Sequence, residues 1–165
     1  MNRAALAAGD DHRLRLEAFL PYRLSVLTNH VSRTLSRLYA ERFDLTVPQW
    51  RVLAVLGEWD GPCADDVCRV TGMDKVTVSR AVRALGGQGR LARRRDPHDG
   101  RRVRIELTDA GREVYRRVVP LALAFEQRLL GVLDAGERRQ LDRLLNRLTT
   151  LARDLDDDGG SAAEP

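Results

Sequence analysis

Apolar residues recur at steps of three and four along most of this chain, which is the periodicity of amphipathic helices. Over residues 14–43 the apolar stripe consists of Leu20, Leu24, Leu27, Val31, Leu35, Leu38 and Tyr39. Pro21 is expected to start or to kink the main helix, because proline lacks an amide hydrogen and clashes with the preceding turn. The pattern therefore predicts a long N-terminal helix with a disturbance near its start.

Two shorter helices are predicted next. One spans about 48–58, with Thr46 as its N-cap, and another spans about 64–70. The dipeptide Thr71-Gly72 then marks a turn.

A fourth helix is predicted to begin after Asp74, a favourable N-cap. Its inward side chains are expected to be Val78, Ala81, Val82 and Leu85. Gly86, Gly87 and Gly89 end it, and its last turn should fray because each glycine costs about 1 kcal/mol relative to alanine. Together with the third helix it forms a predicted helix-turn-helix.

Period-two alternation replaces the helical pattern after this point. Residues 91–95 are a candidate strand, 96–100 have the composition of a turn, and 103–107 alternate apolar and charged residues. Val103, Ile105 and Leu107 are expected to anchor this hairpin. The alternation predicts a hairpin, or wing, with an apolar inner face and a basic outer face.

Two further helices are predicted after the hairpin. Thr108 can cap the first, and Pro120 is expected to kink or break it. Asp134 and Glu137 resemble a capping box that opens the last helix. The stripe of that helix is Leu141, Leu144, Leu145, Leu148, Leu151, Ala152 and Leu155. The acidic tail, 156–165, is expected to be disordered.

Charge is concentrated in one part of the chain. The net charge is +4, yet residues 74–104 contain ten basic and three acidic residues, so that this segment carries +7 and the rest carries −3. Such localisation is typical of a site for a polyanion. A preference for arginine explains why Lys75 is the only lysine, but it does not explain the clustering.

Other classes of site have little support. Cys63, Cys68 and three scattered histidines do not match a zinc pattern, so no metal or cofactor is expected. No apolar run is long enough to cross a bilayer and no signal sequence is visible, so a cytoplasmic, nucleoid-associated location is expected. No nucleophile–base pair or phosphate-binding glycine loop indicates an enzyme.

The segment RRRDPHDGRRVRIELTDAG resembles the wing of the MarR family of bacterial regulators. The matching features are Asp96-Pro97, Asp99-Gly100-Arg101-Arg102 and Leu107-Thr108-Asp109-Ala110-Gly111. LTVPQWRVLAVL and TGMDKVTVSRAVRAL resemble the second helix and the recognition helix of the family. The chain departs from the usual pattern at Gly86-Gly87 and at Arg90, between the recognition helix and the wing.

The resemblance implies a mainly α fold with a small β-hairpin, organised as a winged helix-turn-helix between dimerisation helices. The expected segments are a flexible terminus (1–12), an N-terminal dimerisation helix (13–44), the DNA-binding domain (45–109), C-terminal dimerisation helices (110–155) and the tail. It also implies a homodimer that binds double-stranded DNA at a palindromic operator. A small, aromatic or phenolic effector would release a repressor from that operator.

Candidate DNA contacts follow from the outward face of the recognition helix, which carries Lys75, Val76, Thr77, Ser79, Arg80 and Arg83. Arg80 is the best candidate for guanine, Val76 could meet a thymine methyl group, and Lys75 and Arg83 would hold phosphates. In the wing, Arg101 is expected in the minor groove. Asp99 would pair with an arginine and brace the tip, while phosphate contacts would come from Arg93, Arg95, Arg102 and Arg104.

Effector and redox sensing remain open alternatives. Arg23, Asn29, His30 and Trp50 are candidate ligand contacts, although each is more often a structural or surface residue. Cys63 lies near a helix N-terminus, where the dipole favours a thiolate, so a redox-responsive regulator is an alternative. An architectural DNA-binding protein without a ligand is another.

Overall fold

A computed structural model describes residues 13–96, 99 and 102–161 of the 165-residue chain. Over these residues the elements are α1 (Leu20–Phe43), α2 (Val47–Glu58), α3 (Ala64–Thr71), α4 (Lys75–Gly87), β1 (Leu91–Arg95), β2 (Val103–Leu107), α5 (Asp109–Leu130) and α6 (Ala135–Ser161). This order confirms the predicted mainly α fold with a single hairpin. The chain divides into two compact units, Met1–Arg116 and Arg117–Pro165.

The predicted helix starts have the expected capping geometry. Thr46 accepts a hydrogen bond from the Gln49 amide at 3.4 Å, and its own amide donates to the Gln49 side chain at 2.7 Å. Asp74 accepts from the Thr77 amide at 2.8 Å. Asp134 and Glu137 form the reciprocal bonds of a capping box. Each cap satisfies backbone donors that the first turn of a helix leaves unpaired.

Pro21 starts the main helix, which confirms one of the two alternatives predicted for it, but the helical start at residue 14 and a break at Pro120 need correction. Residues 14–19 are not α-helical, and α1 begins at Leu20 with Pro21 in its first turn, where the missing amide hydrogen costs nothing. The expected N-terminal helix (13–44) is therefore shorter than predicted. Pro120 does not break α5, which is continuous over its 22 residues. One lost hydrogen bond is tolerated because neighbouring turns propagate the helix.

The tail prediction is also wrong over its first part. Helix α6 continues to Ser161, whereas 156–165 was expected to be disordered. Aspartate and glycine lower helix propensity by no more than about 1 kcal/mol each, so a helix already five turns long can extend through them. The expectations for 1–12 and 162–165 lie outside the described residues.

The core of the first unit is built around α2. Val52 and Leu53 are fully buried, and they are joined there by Tyr39, Leu45, Val67, Val78 and Leu85. Trp50 is half-buried at the edge of this core. Its ring lies 5.4 Å from the Tyr39 ring and is stacked 5.9 Å from the Tyr115 ring. The aromatic stack therefore joins α1, α2 and the start of α5.

The hairpin register gives a different distribution of charge from the one predicted. Leu91 pairs with Leu107, Arg93 with Ile105 and Arg95 with Val103. Directly opposed residues share a face of an antiparallel pair. Arg93 and Arg95 therefore lie on the face that carries buried Leu91 and Ile105, not on the outer face. Val103 is 44% exposed, so the anchors are Ile105 and Leu107 rather than all three apolar residues of β2.

The second unit contains α5 from Arg117 onward and all of α6. The leucine stripe of α6 is exposed within the single chain, at 36–62% from Leu141 to Leu155. None of the helices in the described ranges is long and apolar enough to span a membrane.

Candidate nucleic-acid interface

Helix α4 presents a polar face beside a buried one. The four predicted inward residues are all buried, namely Val78, Ala81, Val82 and Leu85. The exposed residues of the other face are Lys75, Val76, Ser79, Arg80 and Arg83. Val76 is 58% exposed, which leaves an apolar side chain available to a partner. Thr77 is half-buried, and its hydroxyl donates to Asp74 at 2.7 Å. That hydroxyl supports the helix cap, and this hydrogen bond lowers the pKa of Asp74.

The basic residues of this region fall into two groups. The first group has carboxylate partners: Lys75 with Asp65 at 3.3 Å, Arg94 with Glu106 at 3.2 Å, Arg102 with Asp66 at 3.1 Å and Arg104 with Asp96 at 2.7 Å. Arg102 and Arg104, predicted as phosphate contacts, therefore serve within the protein. Their positive charge is largely compensated, because each lies beside a carboxylate.

The second group has no ion-pair partner within the part of the chain that the structure describes. Arg80, Arg83, Arg93 and Arg95 are exposed, and the described residues provide no ion-pair partner for them. Arg83 and Arg93 line a groove of about 290 Å³ between α4 and β1, together with Val82, Gly86 and Leu91. Helix α4 and the inner face of the wing thus each contribute an arginine without an ion-pair partner among the described residues to this groove.

Asp96 organises the tip of the wing. It is only 9% exposed; one carboxylate oxygen accepts from Arg104 and the other accepts from the Asp99 amide at 3.2 Å. The Asp99 carbonyl in turn accepts from the Arg102 amide at 2.9 Å. The Asp96 carboxylate therefore braces this part of the wing, and the predicted pairing of the Asp99 side chain stays a prediction. Arg101, the minor-groove candidate, lies outside the described residues.

A second contact fastens the wing to α3. The Asp66 carboxylate accepts from the Cys63 amide at 3.0 Å, from the Cys63 thiol at 3.1 Å and from Arg102 of the wing. Arg69 donates to the other oxygen at 3.0 Å. These hydrogen bonds, led by those from Cys63, lower the pKa of Asp66 to about 2. The ionised carboxylate is thus both the capping partner of α3 and a wing anchor.

Replacing Asp66 with asparagine is expected to reduce the free energy of unfolding by about 1 kcal/mol at neutral pH. A shift from 3.8 to about 2 corresponds to no more than about 2.5 kcal/mol, and the exposure of Arg102 reduces it through solvent screening. Because the folded-state pKa is depressed, this contribution is present above about pH 4 and is lost as the pH falls towards 2. Urea unfolding at several pH values measures it. Asp65→Asn, which removes only the exposed pair with Lys75, is the matched control. An equal loss at neutral pH and near pH 2 would contradict the anchor.

Only part of the predicted effector set is brought together. Asn29 and His30 line a cleft of about 580 Å³ between α1 and the start of α2, whose other walls include Val26, Arg33 and Pro48. The His30 ring nitrogen Nδ1 lies 3.1 Å from the Arg33 guanidinium. Trp50 is absent from the cleft walls because it is held in the aromatic stack, and Arg23 is exposed in the first turn of α1. The cation at the cleft is Arg33, which the sequence prediction missed.

The two cysteines have different surroundings. Cys63 is the N-cap of α3, as expected, and its sulfur lies 3.4 Å from Arg102. Burial raises the pKa of the Cys68 thiol, and Asp65 adds to the effect. A raised pKa disfavours the reactive thiolate at Cys68. Oxidant sensing at Cys63 stays a prediction.

Several structural residues of the interface were not predicted. Asp96 accepts a hydrogen bond from Arg104, and Asp66 accepts one from Arg102. Arg90 donates to a backbone carbonyl at the end of α1. A local signal existed for Asp66, because it stands three residues after the cap of α3, the spacing of a capping box. No periodicity could identify the partners of Asp96 or Arg90.

Comparisons with known proteins agree with this geometry. The model of the MarR family matches residues 43–102. The HTH-type transcriptional repressor Rv2887 of Mycobacterium tuberculosis is 29% identical over 131 residues, which cover 79% of this chain and 91% of the repressor.

Two solved structures are similar over most of their length. A MarR/EmrR family transcriptional regulator from Acinetobacter sp. ADP1 has 25% identity and a TM-score of 0.81, with 86% of this chain and 99% of that chain covered. BpsR of Bordetella bronchiseptica, whose DNA binding is regulated by 6-hydroxynicotinic acid, has 26% identity and a TM-score of 0.75, with 83% and 97% covered. The similarity extends beyond the winged helix to the flanking helices.

Proposed function

Because this chain belongs to the MarR family of DNA-binding transcriptional regulators, we propose that it is a homodimeric repressor that an effector releases from a palindromic operator. The observation that carries this proposal is the set of four arginines on α4 and the inner face of the wing that have no ion-pair partner among the described residues. Their charge is available to phosphates and bases, whereas the other described arginines of the wing are neutralised by carboxylates.

Helix α4 is the proposed reading element. A major groove admits one helix, and the side chains of its N-terminal half meet base edges. Arg80 has the forked geometry that matches guanine, and exposed Val76 can meet a thymine methyl group. We propose that Lys75 contacts a phosphate at this face, and that Thr77 and Ser79 contact bases or phosphates there. Arg101, which lies outside the described residues, is proposed to enter the adjacent minor groove.

Dimerisation is supported by the apolar surface that the single chain leaves exposed. Leu20, Leu24 and Leu27 of α1 are 39–55% exposed, and the α6 stripe is exposed as well. Apolar patches of this extent on a monomer mark interaction surfaces. A two-fold dimer would present two copies of α4 to successive half-sites of a palindrome.

The effector is proposed to bind the cleft between α1 and α2. The cleft is large enough for a small ring compound, with Val26 and Pro48 as apolar walls and Arg33 as a cation for a carboxylate. Regulation of BpsR by 6-hydroxynicotinic acid supports an aromatic acid as the effector class. His30, whose Nδ1 lies beside the Arg33 guanidinium, would contribute a second polar group to the wall that faces the bound acid.

Removal of Arg83 and Arg93 together tests the DNA-binding surface. If each holds a phosphate, the double alanine variant should lower the slope of log affinity against log salt by about two and weaken all sequences alike. Fluorescence anisotropy with a duplex enriched from random DNA by the wild-type chain measures both quantities. Arg94→Ala removes an arginine of the same strand that faces Glu106, so it should leave the slope nearly unchanged. Equal slopes for the double variant and the wild type would contradict the proposed surface.

A further inference from the structure

The junction between α4 and β1 is rich in glycine, which has no side chain to fix the junction by packing. Helix α4 continues through Gly86 and Gly87, although fraying was expected, and Gly89 adopts a φ of +68°. A Cβ atom at Gly86 or Gly87 would meet nothing within 4 Å. Glycine at these positions therefore leaves the angle between the recognition helix and the wing to contacts made elsewhere.

Arg90 provides such a contact with α1. Its Nη2 donates to the carbonyl of Phe43 at 2.8 Å, and its Nη1 donates to the carbonyl of Asp44 at 3.4 Å. Phe43 is the last residue of α1, and Asp44 follows it in the left-handed conformation. Carbonyls at a helix C-terminus lack helical partners and carry partial negative charge, so a guanidinium is a favourable donor to them.

The backbone of Arg90 connects the same point to the reading elements. Its amide donates to the carbonyl of Leu85 in α4 at 2.9 Å, and its carbonyl accepts from the Thr108 amide at 3.1 Å. Gln88 adds a hydrogen bond to the Asp44 side chain at 3.4 Å. One residue thus joins the end of α1, the end of α4 and the junction of β2 with α5.

We propose that Arg90 is a positioning residue that couples α1 to the recognition helix and wing, and so fixes the separation of the two half-sites that the dimer reads. The inference rests on the proposed dimeric regulator. Helix α1 also forms one wall of the proposed effector cleft, so a shift of α1 carries its terminal carbonyls with it. Because Arg90 is hydrogen-bonded to these carbonyls, a shift of α1 would also move the junction between α4 and β1.

The test compares Arg90→Met, which keeps a long side chain without donors, with Arg90→Lys, which keeps the charge without the fork. Arg94→Met is the matched control, because that arginine lies four residues further on, on the outer face of β1, and pairs with Glu106 rather than with α1. Each full-length protein selects from a DNA pool in which two copies of the half-site preferred by the wild type are separated by randomised spacings. Hydrogen exchange of peptides over 40–46 and 86–92 reports on the clamp itself.

The wild type and Arg94→Met should select one narrow spacing. Arg90→Met should accept neighbouring spacings, with the ratio of preferred to adjacent spacing reduced about tenfold, while the half-site sequence stays the same. Its exchange should increase in both peptides, and Arg90→Lys should lie between the two proteins. The inference would be overturned if hydrogen exchange in Arg90→Met were unchanged. It would also be overturned if exchange increased while the spacing preference stayed the same. If Arg90→Met does not fold, Arg90→Lys decides the same question. Failure of the wild type to enrich any DNA would instead overturn the proposed function.

Discussion

A Gly111→Ala variant is expected to lose about 3 kcal/mol of unfolding free energy, with a melting temperature lower by about 6–12 °C. Gly111 lies in the first turn of α5, where an added Cβ would collide with the backbone carbonyl of Arg90. That carbonyl already accepts the Thr108 amide at 3.1 Å. The added methyl group must therefore displace backbone rather than a flexible side chain, and it opens the base of the wing.

Gly86→Ala is the matched control for this change. Gly86 lies in α4 with open space around it, so alanine should raise stability by about 0.5–1 kcal/mol through helix propensity. Thermal and urea unfolding of both variants measure the difference. If the two alanine variants were equally stable, the close approach of Gly111 in α5 to the Arg90 carbonyl would be refuted.

The elements were predictable because their signals are local. Thr46, Asp74 and Asp134 cap helices within three residues of their own positions, and the stripes of α2 and α4 repeat within single helices. The errors also arose from local rules. Propensity alone favours a kink or a break of α5 at Pro120 and an end of α6 before 156. The structure has no break in α5 and extends α6 to Ser161, because helices that have already formed continue through unfavourable residues.

The pairing of charges was not predictable, since it depends on residues far apart in the chain. Arg102 meets Asp66 across 36 positions, and Arg90 meets Phe43 across 47. The strand LARRR has no apolar residue after Ala92, so its sequence does not reveal which arginines share the inner face. Only the register with β2 assigns Arg93 and Arg95 to that face.

The same limit applies to the cleft. Asn29 and His30 were named from α1, and they do line the cleft with Arg33, one helical turn further on. Trp50 was named because an aromatic ring can stack on a ligand, but Tyr39 and Tyr115 already occupy its faces. A tryptophan in a core helix and one in a ligand site have the same sequence signal, and the packing distinguishes them.

Replacing Leu144 and Leu148 with glutamate is expected to convert the proposed dimer into a monomer and to weaken binding to the proposed operator by about 10²–10⁴-fold. Both leucines lie on the α6 stripe and are 41–42% exposed in the single chain, so the monomer loses little when they are replaced. In the proposed dimer each leucine contributes about 1.5–3 kcal/mol when fully covered, and a buried carboxylate costs further free energy. Loss of the second recognition helix removes the effective concentration that joins two half-site contacts.

The pair Asn146→Glu and Thr150→Glu controls for added charge, because these exposed polar residues lie away from the leucine stripe on the same helix. Light scattering after size-exclusion chromatography gives the mass of each protein, and circular dichroism checks that helix content is retained. The control should remain a dimer with wild-type affinity. A dimeric leucine variant with retained helix content would show that the α6 stripe is not the dimer interface. A monomeric leucine variant that still bound the full palindrome with wild-type affinity would show that recognition does not require two joined reading heads.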